Sequence, residues 1–431
     1  MIGIVADDTT GANDIGLMFS KHRYSVKIVT FSEEMNLQAD SDVLIIDTDS
    51  RLDSPELSYD KVFKATQALQ QLGCTLYFNK TCSVFRGNIG KEFDAMMDAL
   101  NEHFAVISLA FPKNGRQTKY GVHTMHGKLL EDSEFSKDPV HPMKKSYLVS
   151  ILQEQTDRHV SLVSIDTVRR GAEFLRKALD EMRKTSTYCI VDAETQDDLT
   201  VIAEATRDFP VLCGSSAIGE ELPKFWPSRN GRDPLADVDM EDQNGVLVVS
   251  GSLTPQTKAQ TEYLISQAVP VLVLDSRKVF TSDEKELEIK RMSREAADLL
   301  KQGQEVLVMA DNREEIVSET KDMGRRLGLD PLTVSKRISA ALAEVTLHVV
   351  EETQLKRLVV AGGDTSGTVC RKLGIQGNVV LEEIETGLPS GLALGRKMLI
   401  VLKSGSFGKK EFLLKAIDHL KVISEKGKAL L

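Results

Sequence analysis

A chain of 431 residues is longer than one ordinary hydrophobic core organises, so two domains are expected, each burying a sizeable interior. Its composition, 41% hydrophobic and 27% charged with a single tryptophan, is that of a globular protein. No apolar run approaches the roughly 18 residues of a membrane span, and a net charge of -10 argues against a general nucleic-acid or anionic-membrane binder while leaving room for a local basic pocket.

Short β-rich runs alternate with amphipathic helical stretches, which reads as α/β with largely parallel sheets. MIGIV opens the chain as a strand, and acids follow at once at Asp7 and Asp8 with no preceding basic region, so no signal peptide is read and a cytoplasmic location is expected. VKIVT, VLIID, TLYFN and AVISLAF are further strands. Helical spacing falls on NDIGLMFSKHR, on Ser58 to Leu72 and on KEFDAMMDALNEH. YCIVDAE and PVLCGSS extend the same domain. From Trp226 to Gly245 the chain turns polar and aperiodic, so residues 228–245 are read as a linker between a domain over 1–227 and another over 246–431. The second domain repeats the alternation with VLVVSGS, VPVLVLD, EVLVMAD, RLVVAGGDTSG and LIVLKSGSFG as its strands. The five cysteines, Cys74, Cys82, Cys189, Cys213 and Cys370, are scattered and show no metal or disulfide spacing, so they are expected reduced and mostly buried.

Ligands of open α/β sheets gather where strands end and helices begin. ADDTTGAND sits at such a place: one of its two acids caps the next helix, and the other is free to accept hydrogen bonds from a polyol or act as a base. After another strand, NKTCSVFRGNIG collects Lys80, Ser83 and Arg86, a combination suited to a carboxylate or phosphate. FPKNGRQT adds Arg116 and Thr118 in the same manner, and DTDSR adds Arg51. His123 and His126 lie three apart without a third ligand and are read as structural or surface residues. In the second half SGSLTPQT, AGGDTSG, ETGLPSG and KSGSFG are glycine-rich turns whose backbone N–H groups suit phosphate. Neither a P-loop nor a dinucleotide fingerprint is present. A cation-and-carboxylate pocket in one half with phosphate-cradling turns in the other suggests phosphoryl transfer.

VADDTTGAND, KTCSVFRGNIG, AFPKNGRQT with the later DPVHPM, CGSSAIG, VVSGSLTPQT, AGGDTSG and KSGSFGKKEF, in that order, resemble the four-carbon acid sugar kinase family over essentially the whole chain. The resemblance implies two Rossmann-like three-layer domains with a cleft between them, an acid-sugar site in the first and ATP in the second, and transfer of the γ-phosphoryl to a terminal hydroxyl. It assigns Asp8, Arg51, Lys80, Ser83 and Arg86 to the substrate, and Asp7, Cys82 and Arg116 are expected beside them at the same site. Ser252, the run Gly362, Gly363, Asp364, Thr365 and Ser366, and Gly405 go to ATP. Cys82 stands where the family usually has an aspartate and Val84 where it has a threonine, so the identity of the acid sugar is left open.

On this reading Asp7 caps the helix while Asp8 points to the polyol as base; Asp364 is the other candidate base or the group orienting Mg²⁺, and no metal ligand set is assigned. The expected partners are a small acid sugar and ATP with no nucleic acid or membrane, and a homo-oligomer is compatible with the sequence. A non-catalytic sensor of sugar acid and nucleotide is the alternative, and a sugar-acid dehydrogenase or isomerase a weaker one.

Overall fold

The computed structural model describes the chain except residues 36, 139, 228–234, 236–237 and 427–431, so the expected linker lies partly outside the described residues. The chain divides into two units, residues 1–231 and 232–431.

The first unit runs β1 (Ile2–Ala6), α1 (Thr9–Ser20), β2 (Val26–Thr30), β3 (Val43–Asp47), α2 (Pro55–Gln71), β4 (Leu76–Lys80), α3 (Ile89–Leu100) and β5 (Ala105–Ser108). A small antiparallel sheet follows, made of β6 (Arg116–Lys119), β7 (Val122–Met125) and β8 (Lys128–Leu129). The unit continues with α4 (Leu148–Gln153), β9 (Val160–Val163), α5 (Ile165–Val168), α6 (Ala172–Met182), β10 (Tyr188–Val191), α7 (Gln196–Thr206) and β11 (Val211–Gly214). Its main sheet is parallel in the order β2-β3-β1-β4-β11-β5-β10-β9.

These strands are apolar on both faces because both are covered. Val5, Ile46 and Ile107 pack with Val62 and Leu69 of α2 and Phe93 and Met96 of α3. Ile4 and Ile45 point the other way and are fully buried. Each such side chain contributes roughly 1.5–3 kcal/mol on burial. Helix α2 begins earlier than hydrophobic spacing alone suggests, because Ser54 caps it by accepting from the Leu57 N–H and Pro55 suits its first turn.

The second unit runs β12 (Leu247–Ser250), α8 (Pro255–Ser266), β13 (Val271–Leu274), α9 (Ser282–Lys301), β14 (Val306–Ala310), α10 (Glu314–Arg326), α11 (Pro331–Thr353), β15 (Arg357–Ala361) and α12 (Gly363–Lys372). It closes with β16 (Gly377–Glu385), β17 (Leu388–Leu394), β18 (Leu399–Lys403) and α13 (Phe412–Lys426). Strands β13-β14-β12-β15-β18 are parallel neighbours, and β17 and β16 extend the sheet antiparallel. Alternate residues feed two cores: Val249, Val308 and Val360 join Met292 of α9 and Leu342 of α11, whereas Val248, Leu307 and Val359 join Leu264 of α8 and Phe412 and Leu420 of α13. The unit is thus helix, sheet and helix in three layers.

Two expectations are corrected here. ETGLPSG spans the tip of the antiparallel β16–β17 hairpin, with Thr386 and Gly387, the latter at φ +76°, as the connection and the rest in the two strands, and it does not join a strand to a helix as the other glycine turns do. Arg116 and Thr118 lie within strand β6 of the small sheet rather than in a loop. Among the described residues no helix is long and apolar enough to cross a membrane.

Candidate active site

In the first unit the chain runs from β1 to β2 on one side and later to β4 on the other, so the carboxyl end of β1 is a topological switch point. Asp7 and Asp8 follow β1, Arg51 follows β3, and Lys80 ends β4. Register brings them together, with Ala6 opposite both Asp47 and Lys80.

The cap expected of Asp7 is made by Asp8 instead. Asp8 is the N-cap of α1: its backbone is extended, and its Oδ1 accepts from the Gly11 N–H at 2.8 Å. Its Oδ2 accepts from Thr10 Oγ1 and from Arg51 Nη1, both at 2.8 Å. Asp7 caps nothing and is clamped by Arg51, whose Nε and Nη2 each donate to it at 2.8 Å. The extended backbone at Asp8 turns its side chain back over the helix start, while Asp7 stays in line with the strand and meets the neighbouring β3 loop. Burial would raise the Asp8 carboxyl, but the charges of Arg51 and Lys80 and the hydrogen bonds from Thr10 and Gly11 hold it down at about 2.

Lys80 is buried, and its Nζ donates to Thr81 O at 3.0 Å. A Cβ on Gly11 would stand 2.5 Å from Asp8 Oδ1 and 2.7 Å from Lys80 Nζ, so the missing side chain lets both charged groups close over the first turn of α1.

The loop after Lys80 carries Cys82, buried at 8% exposure, with Ser83 and Arg86. Burial would raise the Cys82 thiol, but the Arg86 and Arg51 guanidinium groups bring it below its ordinary value. Arg86 Nη1 donates to Asp138 Oδ2 at 2.8 Å, and the guanidinium lies over the Phe135 ring at 4.8 Å. His123 holds this loop from beneath: it is fully buried, contacts Ser83 O through Nε2 at 3.0 Å and Thr118 Oγ1 through Nδ1 at 2.9 Å. Burial, with Arg116 nearby, pushes its ring down to about 3, so it is neutral; since Ser83 O only accepts, Nε2 carries the proton. The structural reading of His123 agrees with this, and no metal-holding cluster of His, Cys, Asp or Glu occurs among the described residues.

Arg116 is 4% exposed and feels the charges of Cys82, Asp14 and Arg86. Residues that spacing did not single out complete the pocket. Asp14, in the second turn of α1, accepts from Ser216 Oγ, and burial against the pull of Lys80 raises it to about 6. Asp138 takes the N–H groups of Val140 and His141 on its other oxygen, and His141 Nε2 donates to Arg51 O at 2.8 Å. Asp14 lies in the quoted ADDTTGAND run, and Asp138 and His141 in DPVHPM.

The second unit has its own switch point at the end of β12, with β14 on one side and β15 on the other. Three glycine-bearing loops meet there. Gly362 caps α12 at φ +122°, and a Cβ on it would lie 3.3 Å from Ser252 Cβ. A Cβ on Gly405 would lie 2.6 Å from Ser252 Oγ. Thr254, the N-cap of α8, and Thr257 both donate to Gly405 O, at 2.6 and 2.8 Å. Gly363, Asp364 and Thr365 form the first turn of α12, with Asp364 exposed and Thr365 buried. Ser366 is turned away: its hydroxyl is fully buried and directed to Val360 O. Ser252, Gly362 and Gly405 are therefore neighbours.

Two Rossmann-like units, one ending in a basic and acidic pocket and the other in converging glycine loops, are those of a sugar kinase: residues 2–222 match the family model described as a sugar-binding N-terminal domain, and 247–413 that of a nucleotide-binding C-terminal domain. The chain belongs to the four-carbon acid sugar kinase family. It is 30% identical to the 3-oxo-tetronate kinase of Pseudomonas savastanoi pv. phaseolicola and 28% identical to the D-threonate kinase of Salmonella typhimurium, covering 97% of each chain in both cases. The crystal structure of Haemophilus influenzae protein HI1011 is similar, with a TM-score of 0.72 and 27% identity over 97% of this chain and 100% of that one.

Proposed function

We propose that this chain is an ATP-dependent kinase acting on the terminal hydroxyl of a four-carbon acid sugar of the threonate, erythronate or 3-oxo-tetronate type. The observation that carries the reading is the convergence of Asp8, Lys80 and the Cys82–Arg86 loop at one switch point, where a buried carboxylate and several cations suit a hydroxylated anion. The relatives named 3-oxo-tetronate kinase and D-threonate kinase support the substrate class.

In this mechanism Lys80, Arg86 and Arg116 hold the sugar-acid carboxylate. Arg51 spends its donors on Asp7 and Asp8, so its part is to aim Asp8 rather than to bind substrate. Asp8 accepts the hydrogen bond of the terminal hydroxyl. Held at about 2, it is a weak base, and it takes the proton only as the oxygen–phosphorus bond forms and acidifies that hydroxyl. The bond between the γ-phosphorus and the bridging oxygen of ADP breaks as the new one forms. Such transfer depends mainly on alignment and charge stabilisation. Ser252, Gly362, Gly363, Thr365 and Gly405 present hydroxyl and backbone donors to the phosphates. Asp364, the exposed acid of that turn, fits Mg²⁺, which uses one or two carboxylates together with phosphate oxygens and neutralises their charge when bound. A cytoplasmic location, with ATP at hand and Cys74, Cys82, Cys189, Cys213 and Cys370 kept as free thiols, goes with this reading.

The test is ADP release with Mg-ATP over a panel of D- and L-threonate, D- and L-erythronate and 3-oxo-tetronates, against a no-substrate control. Selective turnover is expected, and Asp8→Asn should lower kcat by about 100-fold or more. Near-normal turnover in that variant removes Asp8 as the proton acceptor, and ATP binding without turnover on any acid favours the sensor reading.

A further inference from the structure

Lys403, the last residue of β18, has a side chain that is 0% exposed. Its Nζ donates to Thr257 Oγ1 at 2.8 Å, Ser404 O at 2.7 Å and Gly405 O at 3.1 Å. All three acceptors are neutral. A buried ammonium is ordinarily found with a carboxylate, because desolvating an unpaired charge is costly. Here the charged groups of the surrounding elements are placed otherwise. Glu385 of β16 is engaged by the Lys409 N–H and by Lys415, and Glu411 pairs with Lys410. Lys258 and Glu262 of α8 and Asp364 of α12 make no hydrogen bond to Lys403, and β12 and β17 carry no charged residue. Burial alone, with no opposing charge, brings the amine down to about 7.

The position of this charge is specific. Its acceptors Ser404 and Gly405 belong to the loop that meets Ser252 and Gly362. One face of α8 grips the same loop, since Thr254 and Thr257 donate to Gly405 O and Gln260 Nε2 donates to Phe407 O and Lys409 O at 2.9 and 3.0 Å. Lys80 follows the same plan in the first unit, ending its strand and turning back to the next carbonyl, but Lys80 lies within reach of Asp8 and Asp14. Among the described residues Lys403 has no such counter-charge.

We propose that the missing counter-charge of Lys403 is the phosphate chain of the bound nucleotide, so that nucleotide binding draws a proton onto this buried amine. The inference rests on the nucleotide reading of these loops. Lys403 is a positioning residue: covered by protein, it acts through the Gly405 loop and through its field. An anion placed over that loop favours the charged amine, so proton uptake and affinity are linked. With a free amine near 7, binding weakens as pH rises, by about tenfold between roughly pH 6 and pH 8. The ionisation of the nucleotide's own terminal phosphate has the opposite sign, because a more highly charged phosphate binds a cationic site more tightly.

The experiment is calorimetric titration of the full chain with Mg-ADP near pH 7.5, in two buffers of different ionisation enthalpy, together with the pH dependence of Kd. About half a proton or more taken up per nucleotide, with affinity falling toward high pH, is expected. In Lys403→Met, its fold checked by thermal melting, the uptake and the loss of affinity toward high pH should vanish and binding should weaken about tenfold or more. Binding to the unsubstituted chain without proton uptake overturns the inference and leaves the nucleotide site standing, and this holds even if the variant does not fold. Absence of Mg-ADP binding at every pH overturns the nucleotide site itself and the inference with it.

Discussion

Arg51 clamps Asp7 with a two-point fork, Nε to Oδ2 and Nη2 to Oδ1, each at 2.8 Å, and the carboxylate it holds is 1% exposed. A fork of this kind fixes direction as well as distance. It leaves Nη1 aimed at Asp8, so the geometry of the second acid depends on the pairing of the first. Removing one partner of a buried pair leaves the other charge uncompensated. Asp7→Asn is therefore expected to cost about 3 kcal/mol of stability, read from chemical denaturation. An unchanged unfolding midpoint would show that the pair is not structural.

Glu92 gives a pH-dependent prediction. Ser50 and Ser58 both donate to its Oε1, at 2.8 and 2.6 Å. Burial, together with the nearby Asp7 charge, pushes the carboxyl up to about 8 from an ordinary 4.5. The native state thus binds a proton that the unfolded chain has released, and stability falls as pH rises from about 4.5 to about 8, by at most about 1.4 kcal/mol per pH unit, and is level beyond. Glu92→Gln keeps the shape without the proton. Thermal melts at about pH 5 and pH 8 should show the variant gaining on the parent at the higher value, and parallel curves would refute the protonated state.

Cys82 lies beside Arg86 and Arg51, whose charges already favour an anion at that position. Cys82→Asp should consequently fold, and it should change KM for at least one acid sugar by about tenfold while leaving KM for ATP alone, because a carboxylate accepts hydrogen bonds a thiol does not. Identical KM values across the panel would remove Cys82 from substrate selection.

Gly405→Ala tests the other unit. The added methyl would stand 2.6 Å from Ser252 Oγ and 2.8 Å from Thr254 Cγ2, so the loop must move. KM for ATP should rise about tenfold with KM for the sugar acid unchanged. An equal rise in both would point to general loosening of the fold.

The alternation of strand and helix, and the strands of both large parallel arrays except β9, were legible because burial on both faces demands continuous apolar runs such as Leu44–Ile46 and Val306–Val308. The β16–β17 hairpin was missed because its first strand breaks that pattern. Leu381 is followed by Glu382 and Glu383, both exposed, and Pro389, Ser390 and Gly391 in the second strand read as a turn. Lys80 and Arg86 were singled out because cations beside hydroxyls and glycines in a loop that follows a strand suit an anion, whereas Ser252 and Gly405 were named by the family resemblance.

The sequence by itself determined the class of fold, the ends of strands at which chemistry gathers, and the family to which the chain belongs, since these depend on local periodicity and on motifs in order. Only the tertiary structure decided that Asp8 rather than Asp7 caps α1, that Arg51 serves the two acids, that Asp138 faces Arg86 and that Lys403 meets no counter-charge among the described residues. Those facts are set by which side chains from distant segments meet, and by how far burial strips each charge of water.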